Sequence, residues 1–428
     1  MDIDIHIAGS WQSCATVALR DAAQTSRRGA VTLRYDADYA LENLHARDYR
    51  ALSLRVPVDL GIRAVPRWPS FLIDLLPQGA ARKRLERGLE SPLSEWSLLE
   101  RGAFNPVGNL RVRPPVAPVP DDHPGFELDD MITRGDSFLD HAQEVGATIA
   151  GSTDTQGEAP KFWVVQDEEG LWHPDSGQLS HIARRYALLK FPVPEAGPRA
   201  ADILRHEAAY QRVAARLGVR VTAELPEFIN GALLIPRFDR RRGAAAEIRL
   251  GVESLYSVAD SIDSAHTPLR HHEVLIALHG CLTDFDHEVM EYFRRDILNL
   301  AMGNRDNHGR NTAILKDTEG RLRLAPIFDF GPSFLDARAI VRSIHWDGER
   351  PGRTDWNAVL SNLATRFEDA NLVLENTSAI AEDLRAFGQE IGRLPILMRE
   401  CGVDEAIINQ RRAAIESIAL ALERVTPP

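Results

Sequence analysis

Gly303-Asn304-Arg305-Asp306-Asn307-His308-Gly309-Arg310-Asn311, followed by Pro326-Ile327-Phe328-Asp329-Phe330-Gly331, is the stretch on which the reading of this 428-residue chain turns. Asp306 is a carboxylate that can take a hydroxyl proton, Asn311 offers an amide oxygen five positions on, and Asp329 is a second carboxylate before Phe-Gly. That constellation is what phosphoryl transfer requires. Each piece alone is weak, since an Asp-Asn pair at this spacing is common and Asp-Phe-Gly can be an ordinary turn. Context narrows the choice. Val289, Tyr292, Phe293, Ile297, Leu300 and Ala301 recur at helical spacing, so an amphipathic helix runs into Gly303 and leaves the polar cluster in the loop after it. Residues 312–315 and 321–324 read as strands around a turn at 316–320, a hairpin that returns Asp329 beside Asn311. A phosphoryl-transfer site is preferred over a hydrated polar loop.

Length alone favours two or three domains, at about 150 residues each. The formal net charge of -12 argues against nonspecific attraction to a nucleic-acid backbone, so DNA contact is expected only through a partner. Cys14, Cys281 and Cys401 are odd in number, far apart and in no metal spacing, which suits buried thiols in a reducing compartment. Met1-Asp2-Ile3-Asp4-Ile5-His6-Ile7 alternates as a strand and lacks the marks of a secretory signal. No segment approaches the roughly 18 to 20 apolar residues that span a bilayer. The expectation is a cytoplasmic protein without a membrane partner. Lys stands only at positions 83, 161, 190 and 316, Arg supplying the other cations.

Along the chain, residues 1–113 read as a small α+β subdomain with strands at 31–35, 51–56 and 110–112 and a stretch 71–79 that leads into a helix through Arg84. Residues 114–125, rich in Pro, form an extended spacer. A first lobe follows at 126–250. After a helix around 137–145, Ser152, Thr153, Asp154, Thr155, Gln156 and Gly157 lead to Lys161 and the apolar strand 162–165; this small-residue loop is either a phosphate cradle or a plain surface hairpin. The strand 186–192 carries Lys190, as a lysine that holds nucleotide phosphates would be carried, or else as a solvent-facing strand residue. Glu207 on the helix 201–217 is either its partner or an ordinary exposed carboxylate. Residues 231–242 read as an edge strand, ended by Pro236, passing into a basic turn. That strand is a candidate hinge whose backbone would bond adenine, and the Arg run is a solvated charged face by the usual rule. From Ser254 onward, within 251–428, the pattern is mainly helical, with helices at 356–374, 379–391 and 405–425.

The order of these parts resembles the HipA family of bacterial toxin Ser/Thr kinases. The resemblance rests on Tyr35, Ser53-Leu54, Pro57, Phe71, Leu75-Leu76-Pro77 and Gly79 in the first subdomain. In the core it rests on Gly157 with Pro160-Lys161, Leu188-Leu189-Lys190-Phe191-Pro192, Arg237-Phe238-Asp239-Arg240, Gly303-Asn304 with Asp306, His308 and Asn311, and Leu324-Ala325-Pro326 with Phe328-Asp329. It implies an α+β, two-lobed, protein-kinase-like fold with an N-terminal α+β subdomain and an all-α C-terminal lobe. It further implies transfer of the ATP γ-phosphate to Ser or Thr, with Asp306 as base and orienter, Asn311 and Asp329 on Mg²⁺, Lys190 on the phosphates and the loop 151–161 covering them. His308 is expected to brace the loop. The family's biology implies toxicity through phosphorylation of a translation factor, usually an aminoacyl-tRNA synthetase, and neutralisation by a small helix-turn-helix antitoxin that binds DNA. A catalytically silent nucleotide-binding regulator and a small-molecule kinase are the competing readings. Two departures stand out. Asp154 occupies the place of the family's self-phosphorylated Ser, so self-inactivation has moved to Ser152, Thr153 or Thr155 or is absent. Pro236 stands where better-known members carry an acidic residue, and with no amide hydrogen there adenine must rely on Ile235, Arg237 or Phe238.

Overall fold

The computed structural model describes residues 1–114, 125–134, 138, 160–175, 177, 179–192, 199–262, 269–350 and 353–428. Its chain divides into two units that alternate along the sequence. The first comprises Met1–Val193, Pro226–Ile262 and Ala313–Arg321, and the second Pro194–Leu225, Asp263–Thr312 and Leu322–Pro428. The expected helix at 137–145 and the residues of the phosphate loop, Ser152 to Gly157, lie outside the described residues.

In the first unit, β1 (Asp2–Ile7), β2 (Ser10–Leu19), β3 (Val31–Tyr35), β4 (Arg63–Val65) and β5 (Leu110–Val112) form an antiparallel sheet in the order β4-β3-β2-β1-β5. Ile3, Ile5, Val17 and Leu33 point into a core closed by Trp68, Phe71, Leu72, Trp96 and Leu99. The helix expected after the stretch 71–79 and through Arg84 is Gly79–Leu85, and a short helix, Phe71–Asp74, precedes it. Pro77 between them cannot supply the amide that would join them.

Residues 51–56 do not form the expected strand, because side chains capture their backbone. The Leu52 amide donates to the Tyr35 hydroxyl (3.0 Å), the Leu54 amide and the Ser53 hydroxyl donate to Glu253 (3.0 and 2.7 Å), and the Arg55 amide donates to Ser53 Oγ (3.0 Å). Local acceptors of this kind compete with ladder formation. Glu253 is itself buried and paired with Lys316 at 3.2 Å, which accounts for the Ser53-Leu54 motif.

The second sheet of this unit joins β6 (Lys161–Gln166), β7 (Trp172–Pro174), β8 (Arg185–Lys190), β9 (Glu227–Ile229) and β10 (Ala232–Pro236) in the order β7-β6-β8-β10-β9. The strand ending at Pro236 is therefore internal, not the edge strand expected, although β9 flanks it only as far as Leu234. Pro236 sits past that point, where its missing amide costs no ladder bond.

Beyond it the arginines are only partly the solvated face expected. Arg241 and Arg242 are exposed, but Arg237, Arg240 and Arg249 are buried with Asp175, Asp239 and Glu247 in an alternating cluster of charge. Asn105 joins it, its carbonyl oxygen accepting from Arg240 (2.5 Å) and Arg249 (3.1 Å), while the Gly108 amide donates to Asp239 (2.8 Å). The cluster thus ties the turn before β5 to the second sheet. Burial would raise the Asp239 carboxyl, but Arg237 beside it outweighs burial and holds it at about 2.

Helices dominate the second unit: Ala200–Arg216, His271–Leu278, Phe285–Met302, Trp356–Asp369, Thr377–Gly392, Leu394–Glu400 and Glu405–Glu423. It is not wholly α, since the short strand Leu322–Leu324 and the hairpin Glu349–Arg350 with Arg353–Thr354 belong to it. Buried Phe293 stacks on Trp346 at 4.6 Å between ring centres, with Trp356 against both. No helix among the described residues is long and apolar enough to cross a membrane.

Removing one member of the buried charge cluster leaves its partners unpaired, which typically costs about 3–5 kcal/mol. Asp239→Ala is expected to lose about that much in urea unfolding. In the wild-type protein the Asp239 pKa is lowered on folding, so its contribution is complete above about pH 4 and declines as the pH falls toward 2. Denaturant midpoints measured down the pH scale check the sign.

Candidate active site

Helix Phe285–Met302 delivers the loop that carries Asp306. Asp284 caps its start by accepting the His287 amide at 3.1 Å. Gly303 ends it in the left-handed conformation, φ 77°, which costs a residue with a side chain. A Cβ at Gly303 would also stand 2.7 Å from the Phe334 ring and 3.0 Å from Nε of Arg411. Arg411 in turn donates to the carbonyl oxygens of Ala301 (3.1 Å) and Leu300 (2.7 Å), two of the acceptors that a helix end leaves open.

Inside the loop the backbone around Asp306 is held by side chains. The Asp306 amide donates both to Asn304 Oδ1 and to Ser333 Oγ, each at 3.2 Å, and the Arg305 amide donates to the same Ser333 oxygen at 2.6 Å. Ser333 passes its own proton to Asn304 Oδ1 (3.0 Å), and Asn304 Nδ2 donates to Asn299 (3.0 Å). Asn311 Nδ2 donates to the Asp306 carbonyl at 2.7 Å. A planar amide anchored through its nitrogen turns its oxygen the other way.

His308 accepts the Arg310 amide at Nδ1 (3.3 Å), which places its ring proton on Nε2, 3.5 Å from Asp306 Oδ1. Its carbonyl accepts the Asn311 amide at 2.9 Å. Asn307 reaches inward to Asp296, a buried carboxylate that also accepts from Arg342 (2.8 and 2.9 Å) and the Trp346 indole (2.7 Å). Burial opposes that charge, yet Arg342 foremost and His271 next keep the Asp296 carboxyl far below its ordinary range.

Asp329 has φ 52°, a conformation seen in few residues other than Gly and one that clusters at functional sites. Its segment is set by the helix Ala200–Arg216. Gln211 donates to the Ile327 carbonyl (3.0 Å), the Ile327 amide donates to the Arg220 carbonyl (2.8 Å), and the Phe330 ring lies 5.3 Å from that of Tyr210. Tyr210 also donates to the Met302 carbonyl at 2.9 Å, so one helix holds both the Asp329 segment and the root of the Asp306 loop. Glu207, on the same helix, is buried, and Gly331 packs against it with 3.4 Å between the Glu207 Cβ and the place a Gly331 Cβ would take.

In the first unit Lys161 and Lys190 are direct cross-strand partners of β6 and β8, so two of the four lysines in the chain lie side by side on one face. Ile235 faces Leu188, and the Arg237 amide donates to the Tyr186 carbonyl at 2.9 Å. The Arg237 guanidinium is likewise committed, to Asp239 at 2.5 Å and over the Trp163 ring at 3.8 Å. Of the three hinge candidates, Arg237 therefore has neither donor to offer adenine. By the alternation of an antiparallel ladder, the Pro236 carbonyl faces away from β8. Phe238 is half-buried next to it.

Ser333 and Arg411 were missed by sequence reasoning, and only a position two residues after Gly331 could have drawn attention to the serine. The donors that suit a hard cation are the Asn311 oxygen and the Asp329 carboxylate. Among the described residues, no group of three or more His, Cys, Asp and Glu side chains is placed to hold a metal. Two oxygen donors fit Mg²⁺, which keeps waters and is completed by substrate phosphates.

The model of the HipA-like C-terminal domain matches residues 153–387, more than half of the chain. The chain belongs to that family. A Sinorhizobium fredii protein named "Putative kinase Y4mE" is 28% identical over 289 residues, covering 60% of this chain and 63% of its own length. The chain thus spans less than two thirds of that curated relative. HipA of Shewanella oneidensis MR-1, solved with HipB and its operator DNA, is 15% identical and superposes with a TM-score of 0.66 over 99% of this chain and 97% of its own. This likeness shows that the HipA-like chain has the α+β, two-lobed, kinase-like fold that the sequence resemblance implied.

Gly303→Ala is expected to cost about 1–2 kcal/mol from the left-handed backbone alone and to displace Phe334 and Arg411. Thermal unfolding followed by circular dichroism measures the first effect. Ser333→Ala, which releases two loop amides, is expected to lower the melting temperature less.

Proposed function

We propose that this chain is a serine/threonine protein kinase that moves the γ-phosphate of ATP to a protein hydroxyl. In this reading it is the toxin of a toxin–antitoxin pair and acts on a translation factor such as an aminoacyl-tRNA synthetase. The observation that supports it best is the loop 303–311, where Asn304, Ser333 and Asn311 together fix the backbone of one carboxylate, Asp306. Orientation of that kind is what a phosphoryl-transfer base needs, since such enzymes work by positioning more than by covalent chemistry.

Asp306 orients the acceptor hydroxyl and takes its proton as the acceptor oxygen bonds to the γ-phosphorus and the bond to the β–γ bridging oxygen breaks. Lys161 and Lys190 hold the phosphates, with Glu207 as the partner proposed for Lys190. Ile235 and Phe238 are the remaining adenine contacts from the hinge, and Ser152, Thr153, Asp154, Thr155, Gln156 and Gly157 cover the phosphates. Asn311 and Asp329 would hold Mg²⁺, which when bound offsets charge on the phosphate oxygens. His308 braces the loop. HipA of Shewanella oneidensis was solved with HipB and operator DNA; a small helix-turn-helix antitoxin of that kind is the proposed partner, and DNA is met only through it.

Incubation of the protein with γ-labelled ATP, Mg²⁺ and a whole-cell extract is expected to label a discrete protein band. A labelled metabolite would indicate a small-molecule kinase, and no label a silent nucleotide binder. Asp306→Asn should lower transfer about 10²–10⁴-fold with an unchanged circular dichroism spectrum. Turnover close to wild type in that variant would remove Asp306 from its role.

A further inference from the structure

On the second unit a cavity of about 850 Å³ opens directly beside the catalytic loop. Its wall includes Gly303, Asn304 and Arg305, the three residues immediately before Asp306. Cavities of roughly 300–1,000 Å³ accommodate organic ligands or several side chains, far more than one small ion needs. Segments around Val341 and His345 and the outer part of the helix Glu405–Glu423 complete it.

Charge in this cavity is unlike that of the chain as a whole. Arg305, Arg411 and Arg424 all line it, and among the described residues none of the three has a carboxylate partner, although the chain carries a net charge of -12. Arg411 is held only by two carbonyl oxygens and the Phe334 ring, 5.4 Å from its guanidinium carbon. Burial foremost lowers its pKa, with Tyr210 opposing and the like charge of Arg305 adding to the fall. The carboxylates in the wall are already used: Glu349 pairs with Arg342 at 3.2 Å, and Asp355 caps the helix Trp356–Asp369 by accepting the Ala358 amide at 3.1 Å. Apolar surface stands open beside these cations, with Val341 71% and Leu420 53% exposed.

We propose that this cavity receives the part of the acceptor protein that flanks the phosphorylated hydroxyl, and that it selects acidic residues set among apolar ones. Arg305, Arg411 and Arg424 are the specificity-determining cations; Val341 and Leu420 take the apolar side chains. The inference rests on the kinase reading, because its argument for a peptide over a free anion is the adjacency of the cavity to Asp306. Three cations with no carboxylate neighbour attract negative charge, and the apolar rim and the volume favour a chain segment over phosphate alone. Electrostatic selection of this sort weakens as salt screens it.

Two measurements separate the cavity from the chemistry. In the first, without nucleotide, a fluorescein-labelled peptide of alternating Glu and Leu is titrated with the full chain and followed by anisotropy, against a Lys-Leu peptide and a single-stranded oligonucleotide. Saturable binding of the acidic peptide alone is expected, weakened at least tenfold in Arg424→Glu and less in Arg424→Gln, both at one exposed position where a change does not threaten the fold. In the second, a Ser/Thr peptide library with one flanking position fixed at a time is phosphorylated with ATP. The wild type is expected to favour Asp or Glu at one or more positions, and Arg424→Glu to raise KM for those peptides with little change in kcat. Acidic-peptide binding without phosphorylation of any peptide would support the cavity and sink the kinase reading. Phosphorylation with no acidic preference, tighter binding of the oligonucleotide, or binding indifferent to Arg424 would overturn the proposal.

Discussion

In the second unit one buried carboxylate joins the Asp306 loop to the chain around it. Asp296 sits on the inner face of the helix Phe285–Met302 and takes hydrogen bonds from Asn307 in the loop, from Arg342 and Trp346 in the segment after Asp329, and lies 3.4 Å from His271. A charge in such a place is tolerable only if its lone pairs are filled by donors, and here they come from two separate stretches of chain besides its own helix. Whatever moves one of those stretches leaves a buried charge short of a partner. The loop, the segment and the helix are therefore expected to move together or not at all.

The first unit uses the same physics with a larger set. Three arginines and three acidic residues alternate in its interior, joined by Asn105, and there the motif Arg237-Phe238-Asp239-Arg240 finds its structural use. Arginine suits this work because its planar fork directs several hydrogen bonds at once and it keeps its charge when buried. Lysine, a compact point charge, is kept for few places. One lysine pairs with Glu253 in the interior, and two face each other across β6 and β8.

Much of this was legible in the sequence wherever local pattern decides the outcome. Helical spacing ahead of Gly303 located the end of that helix, the C-terminal helices appeared within a few residues of where periodicity put them, and β3 and β5 have the limits expected. The misses share a cause, which is that partners distant in sequence carry no local signature. Residues 51–56 alternate like a strand, yet a carboxylate about 200 positions away takes their donors. Arg237 looked like part of an accessible hinge, but Asp239 and Trp163 enclose it. Ser333 gives no sign by composition that it holds the amides of Arg305 and Asp306. Asp306, Asn311, Asp329 and Lys190 stood out as candidates because the chemistry of each group and its spacing are both local.

One contact bears on when this molecule becomes competent. The carbonyls of Leu300 and Ala301, at the root of the Asp306 loop, receive their donors from Arg411, 110 residues further along the chain. During synthesis, at about 5–20 residues per second, the ribosome must extend the chain well past the loop before that helix end can be closed. A nascent chain that already carries Asp306 thus still lacks the donor that closes the helix end before its loop. Closure of the Asp306 loop's root is a late event, timed by the emergence and docking of the helix Glu405–Glu423 and not by the appearance of Asp306 itself.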